Sequence, residues 1–204
     1  MSLFLKKEIE NGKLGLWKIE EPLEKLESLI QLSNIDKNQY LQFKNESRKK
    51  QWLAARILLN LLLDKSSQIY YSEDGKPFLK DSNVQISISH TEKFVAVILS
   101  KTSRVGIDIE KIAARILKVH HKFAHPEELI LPVQISETAF LCLLWSVKEA
   151  LFKAIDEKNI IFKDDLKVIS VEKEVIWAKV FLPNKEELWK LNFQEVEDHY
   201  MVWC

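Results

Sequence analysis

The order of elements constrains this chain most: a helical stretch followed by a meander of short strands, and then the same cadence again. The first helix is expected over about residues 45–64, with short strands after it at 69–71, 77–80, 84–89 and 94–99. The turn at Glu73-Asp74-Gly75 and the alternation of Val84, Ile86 and Ile88 support those strands. The second round reads as a strand over 104–110, a helical region through His121, a loop, a helix over about 137–155, and strands ending at Trp203. A strand over 14–19 and a helix from Glu21-Pro22 to Leu32, with Leu23, Leu26, Leu29 and Ile30 at helical spacing, precede both rounds. A helix with one apolar face must bury it on the strands beside it, so the expected fold is α+β in two similar halves, 1–103 and 104–204. Each half is a helix packed on an antiparallel meander, and a ligand cleft is expected between them. No residue-level repeat accompanies the doubled cadence.

With 204 residues, 47% of them hydrophobic, the chain can bury a substantial core. Thirty basic residues balance thirty acidic ones, so no overall field draws it to nucleic acid or to an anionic membrane, and neither is expected as a partner. Two cysteines, Cys142 and Cys204, make no disulfide framework, which points to a reducing compartment and a cytoplasmic protein. The start, MSLFLKKEIENGK, lacks a signal-peptide core, and no apolar run reaches membrane-spanning length.

Chemistry concentrates in two segments. In Arg104 to Lys111, RVGIDIEK, strand alternation places Gly106, Asp108 and Glu110 on one face and Val105, Ile107 and Ile109 on the other. The second set is expected to face a core, the carboxylates a positive charge, and Gly106 to leave room for a cofactor or metal. Forty-one residues after Asp108, WSVKEALFK places Glu149 and Lys153 four apart on a helix whose apolar stripe is Phe140, Leu144, Val147, Leu151 and Ile155. Spacing leaves two readings open: a solvated Glu-Lys pair, or three carboxylates converging on a hard cation such as Mg²⁺. Lys148 and Lys153 beside Glu149 would suit an anionic substrate such as a diphosphate. Upstream, Gly75-Lys76-Pro77 puts a lysine at a tight turn, and SISHT puts His90 at a strand end rich in hydroxyls.

Together GKPF (75–78), SISHT (87–91), VGIDIE (105–110) and WSVKEALFK (145–153) resemble the 4′-phosphopantetheinyl transferases, specifically their larger, Sfp-like branch. The resemblance spans residues 46 to 155. It implies a monomer of two α+β halves that moves the phosphopantetheine arm of coenzyme A to a serine of an apo carrier protein and releases 3′,5′-adenosine bisphosphate. Asp108, Glu110 and Glu149 match the acids that bind Mg²⁺, with Mn²⁺ as the other candidate. Lys153 matches the lysine at the pyrophosphate and His90 the histidine at the 3′-phosphate; Lys76 and Ser89 match further coenzyme A contacts. Glu149, directly or through a metal-bound water, is the leading base for the carrier serine, and Lys148 is either a charge-stabilising cation beside Lys153 or a structural one. Trp145 of the same motif is read as packing. Phe123 with Glu127 and Glu128 resembles the aromatic-acidic stretch between the two signature motifs. The segment ESRKKQWLAARILLNLLL resembles the family's first helix, which adds Arg48 and Arg56 as nucleotide contacts, although Arg56 also suits snorkelling out of the core.

Two departures stand out. Residues 154–160 contain no glycine where the family often has them, and the connection from Glu110 to Glu137 is compact, which points to a different carrier-docking surface. The competing readings are a Mg²⁺-dependent nuclease or phosphatase, disfavoured by the absence of a basic stripe, and a catalytically silent binder of coenzyme A or carrier.

Overall fold

A computed structural model describes residues 2–10, 12–80, 82–155 and 157–204. The chain is α+β and divides into two compact units, Met1–Val105 and Gly106–Cys204.

The first unit begins with strands β1 (Leu3–Ile9) and β2 (Gly12–Lys18), followed by helices α1 (Leu23–Ser28), α2 (Asn34–Leu41) and α3 (Glu46–Leu63). Strands β3 (Ile69–Tyr71), β4 (Pro77–Leu79), β5 (Gln85–His90) and β6 (Phe94–Ser100) complete it. An antiparallel sheet runs β1-β2-β6-β5, and β3 and β4 form a separate hairpin. Trp52, Leu53, Leu58, Leu59 and Leu62 of α3 bury themselves on Trp17, Val95, Val97 and Leu99 of the sheet. The Asn45 side chain starts α3 by accepting a bond from the Arg48 amide at 3.1 Å, and Asp64, at φ 55°, ends it. In the β3-β4 hairpin Gly75 sits at φ 81°, a conformation that a side chain would strain.

Sequence reasoning missed β1. Its side chains are mostly exposed, so it carries little apolar signal, and backbone pairing with β2 holds it at the sheet edge. The helix expected to run to Leu32 ends at Ser28 with Leu26 buried, and a second helix, α2, starts at a Ser33 cap whose hydroxyl accepts from the Asp36 amide at 3.1 Å.

The second unit opens with β7 (Ile107–Lys111). Three short 3-10 turns follow, at Ala114–Lys118, His120–Lys122 and Glu128–Ile130, where a longer helical region was expected. Helix α4 (Glu137–Ala154), the single turn α5 (Phe162–Asp165) and strands β8 (Leu166–Glu172), β9 (Val175–Leu182), β10 (Lys185–Val196) and β11 (His199–Trp203) complete it. The antiparallel sheet runs β7-β11-β10-β9-β8. Cys142, Leu143, Val147, Ala150 and Leu151 of α4 pack on Val168, Ala178, Val180, Leu191, Tyr200 and Val202.

Register corrects the reading of the acidic strand. Asp108 pairs with Val202 and Glu110 with Tyr200, and paired residues share a face. Tyr200 and Val202 belong to the core under α4, so the two acids lie on the helix side of the sheet, while Ile107 and Ile109, on the other face, are buried as well. Gly106 is corrected with it. A Cβ there would stand 1.9 Å from the Ala150 carbonyl oxygen and 3.1 Å from the Ala154 Cβ, so the missing side chain admits the backbone of α4 rather than a ligand. Gly106→Ala is therefore expected to lift α4 from β7 and cost about 1–3 kcal/mol of unfolding free energy, measurable by denaturant titration.

Candidate active site

Strand β7 and helix α4 bring together Asp108, Glu110, Glu149 and Lys153. Asp108 is 2% exposed, and its Oδ1 accepts a bond from Lys153 Nζ at 2.7 Å. The same ammonium donates to the Ile107 carbonyl at 3.1 Å, which fixes the lysine along the strand. Glu110 is half-buried; its Oε1 accepts from Trp145 Nε1 at 3.2 Å, and its Oε2 lies 3.5 Å from the Arg115 guanidinium. Sequence reasoning did not select Arg115, whose position in a 3-10 turn gives no periodic signal.

The acids feel one another. Burial first, and then the neighbouring Asp108 charge, push the Glu149 carboxyl up from 4.5 to about 7; Glu110 adds to the shift and Lys153 opposes it. Burial and Asp108 also raise Glu110, against the Trp145 hydrogen bond and the Arg115 and Lys153 charges. Among the described residues no group of three His, Cys, Asp or Glu side chains is already arranged to hold a metal ion. The donor set nevertheless fits a hard divalent cation, because Glu110 and Glu149, both raised by burial and by the Asp108 charge, gain with Asp108 by sharing a positive ion.

Glu149 makes a linkage test possible. Its folded-state pKa lies above the ordinary value, so the folded state holds this proton more tightly than the unfolded chain does. The resulting stability is full below about pH 4.5 and is lost as pH rises to about 7. With divalent ions chelated, Glu149→Gln is expected to flatten that loss by about 1–3 kcal/mol, read from unfolding titrations between pH 5 and 8.

Of the two roles open to Lys148, the contacts are those of the structural one. Its side chain is 0% exposed, and its ammonium donates to the Phe123 carbonyl at 2.7 Å, the Phe162 carbonyl at 2.8 Å and Glu128 Oε2 at 2.8 Å. With three donors spent inside the core it cannot meet a substrate, so its place among the catalytic cations is withdrawn. Its partner Glu128, also 0% exposed, accepts the His125 amide at 2.6 Å on Oε2 and the Val168 amide at 2.8 Å on Oε1. Lys148→Met alone should cost about 3–5 kcal/mol, because it strands a buried carboxylate. Lys148→Met with Glu128→Leu should recover only part of this, since the His125 and Val168 amides lose their acceptor; chemical denaturation of both variants checks the order.

In the first unit, Arg48 and His90 meet side chain to side chain at the exposed end of β5, and the Arg48 guanidinium also lies 5.7 Å from the centre of the Phe43 ring. Ser89 is buried in the same strand, and Lys76, half-buried, follows Gly75 in the β3-β4 turn. Arg56 is corrected. It is 2% exposed, bonds Asp36 Oδ1 at 3.1 Å and Gln39 Oε1 at 3.2 Å, and lies 3.3 Å from the Trp52 ring centre. It joins α2 to α3 inside the unit, sealed from solvent, so it neither snorkels out nor presents its guanidinium at the surface. In the segment without glycines, Asn159 takes φ 66°, a conformation that Asn tolerates better than most residues, while Asp156 lies outside the described residues. No helix among the described residues is long and apolar enough to cross a membrane.

Residues 104–204 match the model of the 4′-phosphopantetheinyl transferase superfamily, which assigns that part of the chain to the superfamily. It is 28% identical over 157 residues to the 4′-phosphopantetheinyl transferase gsp of Aneurinibacillus migulanus, covering 74% of this chain and 64% of that protein. It is 39% identical over 69 residues to the 4′-phosphopantetheinyl transferase AcpT of Escherichia coli and 38% to that of Salmonella typhi, each match covering 33% of this chain and 35% or 36% of the relative. The matches thus span less than two thirds of these relatives' own length.

Proposed function

We propose that this protein transfers the 4′-phosphopantetheine arm of coenzyme A to a serine of an apo carrier protein. The observation that carries the reading is the cluster of Asp108, Glu110, Glu149 and Lys153, gathered from β7 and α4 within the segment that the family model matches. Asp108, Glu110 and Glu149 would hold Mg²⁺, or Mn²⁺ in its place, which when bound supplies charge neutralisation for a pyrophosphate.

Lys153 stabilises the negative charge that grows on the departing 3′,5′-adenosine bisphosphate. Glu149 takes the proton of the carrier serine, directly or, since a carboxylate that holds a cation is a weaker base, through a water between them. The serine oxygen forms a bond to the β-phosphorus of coenzyme A as the bond to the bridging oxygen breaks, and the electron pair leaves with the bisphosphate. On the first unit, the paired Arg48 and His90 suit a phosphate of coenzyme A, and Lys76 and Ser89 are assigned further contacts with it. Chemistry of this kind rests on positioning and electrostatics, so it needs no cysteine nucleophile and no glycine-rich phosphate loop. The reading carries with it the monomer and the reducing, cytoplasmic compartment expected from the sequence.

Incubation with coenzyme A, Mg²⁺ and apo carriers from fatty-acid, polyketide and peptide synthesis, followed by intact-mass measurement, tests the reading. One carrier should gain one phosphopantetheine, and Glu149→Gln should slow the gain by about two orders of magnitude or more. No gain on any carrier, together with cleavage of nucleic acid, would replace this reading with a metal-dependent nuclease.

A further inference from the structure

Lys148 and Trp145 are both described by packing, yet their contacts run in one direction. The Lys148 ammonium holds the backbone carbonyls of Phe123 and Phe162, at 2.7 and 2.8 Å. The rings of those two phenylalanines flank one side chain: Trp145, with centroids 5.0 Å from Phe123 and 5.5 Å from Phe162. Aromatic contacts at these separations fix ring orientation as well as burying area. The ring so fixed turns its N–H onto Glu110 Oε1 at 3.2 Å.

We propose that Lys148, with Glu128 as its counter-charge, is a positioning residue that acts through Phe123, Phe162 and Trp145 to set the rotamer of the Glu110 carboxylate for a divalent cation. The inference rests on the reading of Glu110 as a cation ligand. Each link is a separate contact. Lys148 sets where two backbone segments lie, the segments set where two rings lie, the rings set the tilt of the indole, and the indole N–H selects one Glu110 oxygen. The other oxygen, 3.5 Å from the exposed Arg115, stays at the accessible side. Groups that orient a ligating carboxylate are worth about 10–100-fold in metal affinity when removed.

Trp145→Phe keeps an aromatic ring between Phe123 and Phe162 and removes the N–H. Binding of Mn²⁺ alone to the full chain, followed by electron paramagnetic resonance without coenzyme A or carrier, should weaken about 10-fold or more, while the melting temperature stays within a few degrees. Adding Glu110→Gln to that variant should weaken Mn²⁺ binding no further than Glu110→Gln alone does. Wild-type affinity in Trp145→Phe, additive losses in the double variant, or a wild type that does not bind Mn²⁺ would each overturn the proposal. The Lys148 link is read separately, by NMR of the ¹⁵N-labelled chain, with the Trp145 indole resonance identified by its absence in Trp145→Phe. Glu128→Gln, milder than any change at Lys148, should shift that resonance, and an unmoved resonance in a folded variant removes Lys148 from the relay. Transfer to a carrier by the wild type combined with undiminished Mn²⁺ affinity in Trp145→Phe defeats the relay and leaves the proposed function standing. A wild type that transfers nothing but loses Mn²⁺ affinity with the indole N–H does the reverse.

Discussion

The second unit depends on one buried ion pair. Lys148 and Glu128 are both sealed from water, and burying two charges is tolerable because nearly every bond they can make is made: two carbonyls and a carboxylate oxygen for the ammonium, two amides and the ammonium for the carboxylate. Burial alone lowers the lysine's affinity for its proton, and the Glu128 charge opposes that. Five parts of the chain meet there: α4, the segments at His125 and Phe123, the first turn of α5, and β8. The β7-to-α4 connection has only 3-10 turns of its own, so it is fixed from outside, by this pair and by Ile116, Phe123 and Ala124 in the core.

Much of the fold is legible in the sequence because both long helices carry broad apolar faces and the strands alternate. The acids of β7 and the glutamate and lysine of α4 are equally legible, since two residues along a strand or four along a helix share a face whatever the tertiary structure. The role of Gly106 is not, because an empty position on a strand looks the same whether a ligand or a helix backbone comes up to it. Lys148 and Arg56 mislead for a related reason. A charged residue in a motif reads as functional until its burial is known, and burial here follows from partners twenty residues away in sequence: Glu128 for one, Asp36 for the other. Strand β1 escapes notice because backbone bonds rather than side-chain burial hold it.

The two units use the same plan differently. In the first, α3 lies on its sheet, and the buried cation Arg56 works within the helical layer, tying α2 to α3 through Asp36 and Gln39. In the second, the buried cation of α4 reaches outward to the connecting segments, and the exchange of glutamate and lysine one turn apart on that helix leaves Glu149 and Lys153 facing β7. One helix is braced against its neighbours, and the other carries both the brace and half of the acid-lysine cluster.

That sharing restricts how the second unit can vary. Residues 112–136 can change in length and sequence between their anchor points, but a segment grafted in from a relative must bring a glutamate that reaches Lys148 and an aromatic residue that covers Trp145. Without them the graft arrives as a loop with no floor. Variation in this stretch is therefore confined to the spans on either side of Ile116, which is itself anchored in the core, and to the interval between Leu131 and Glu137.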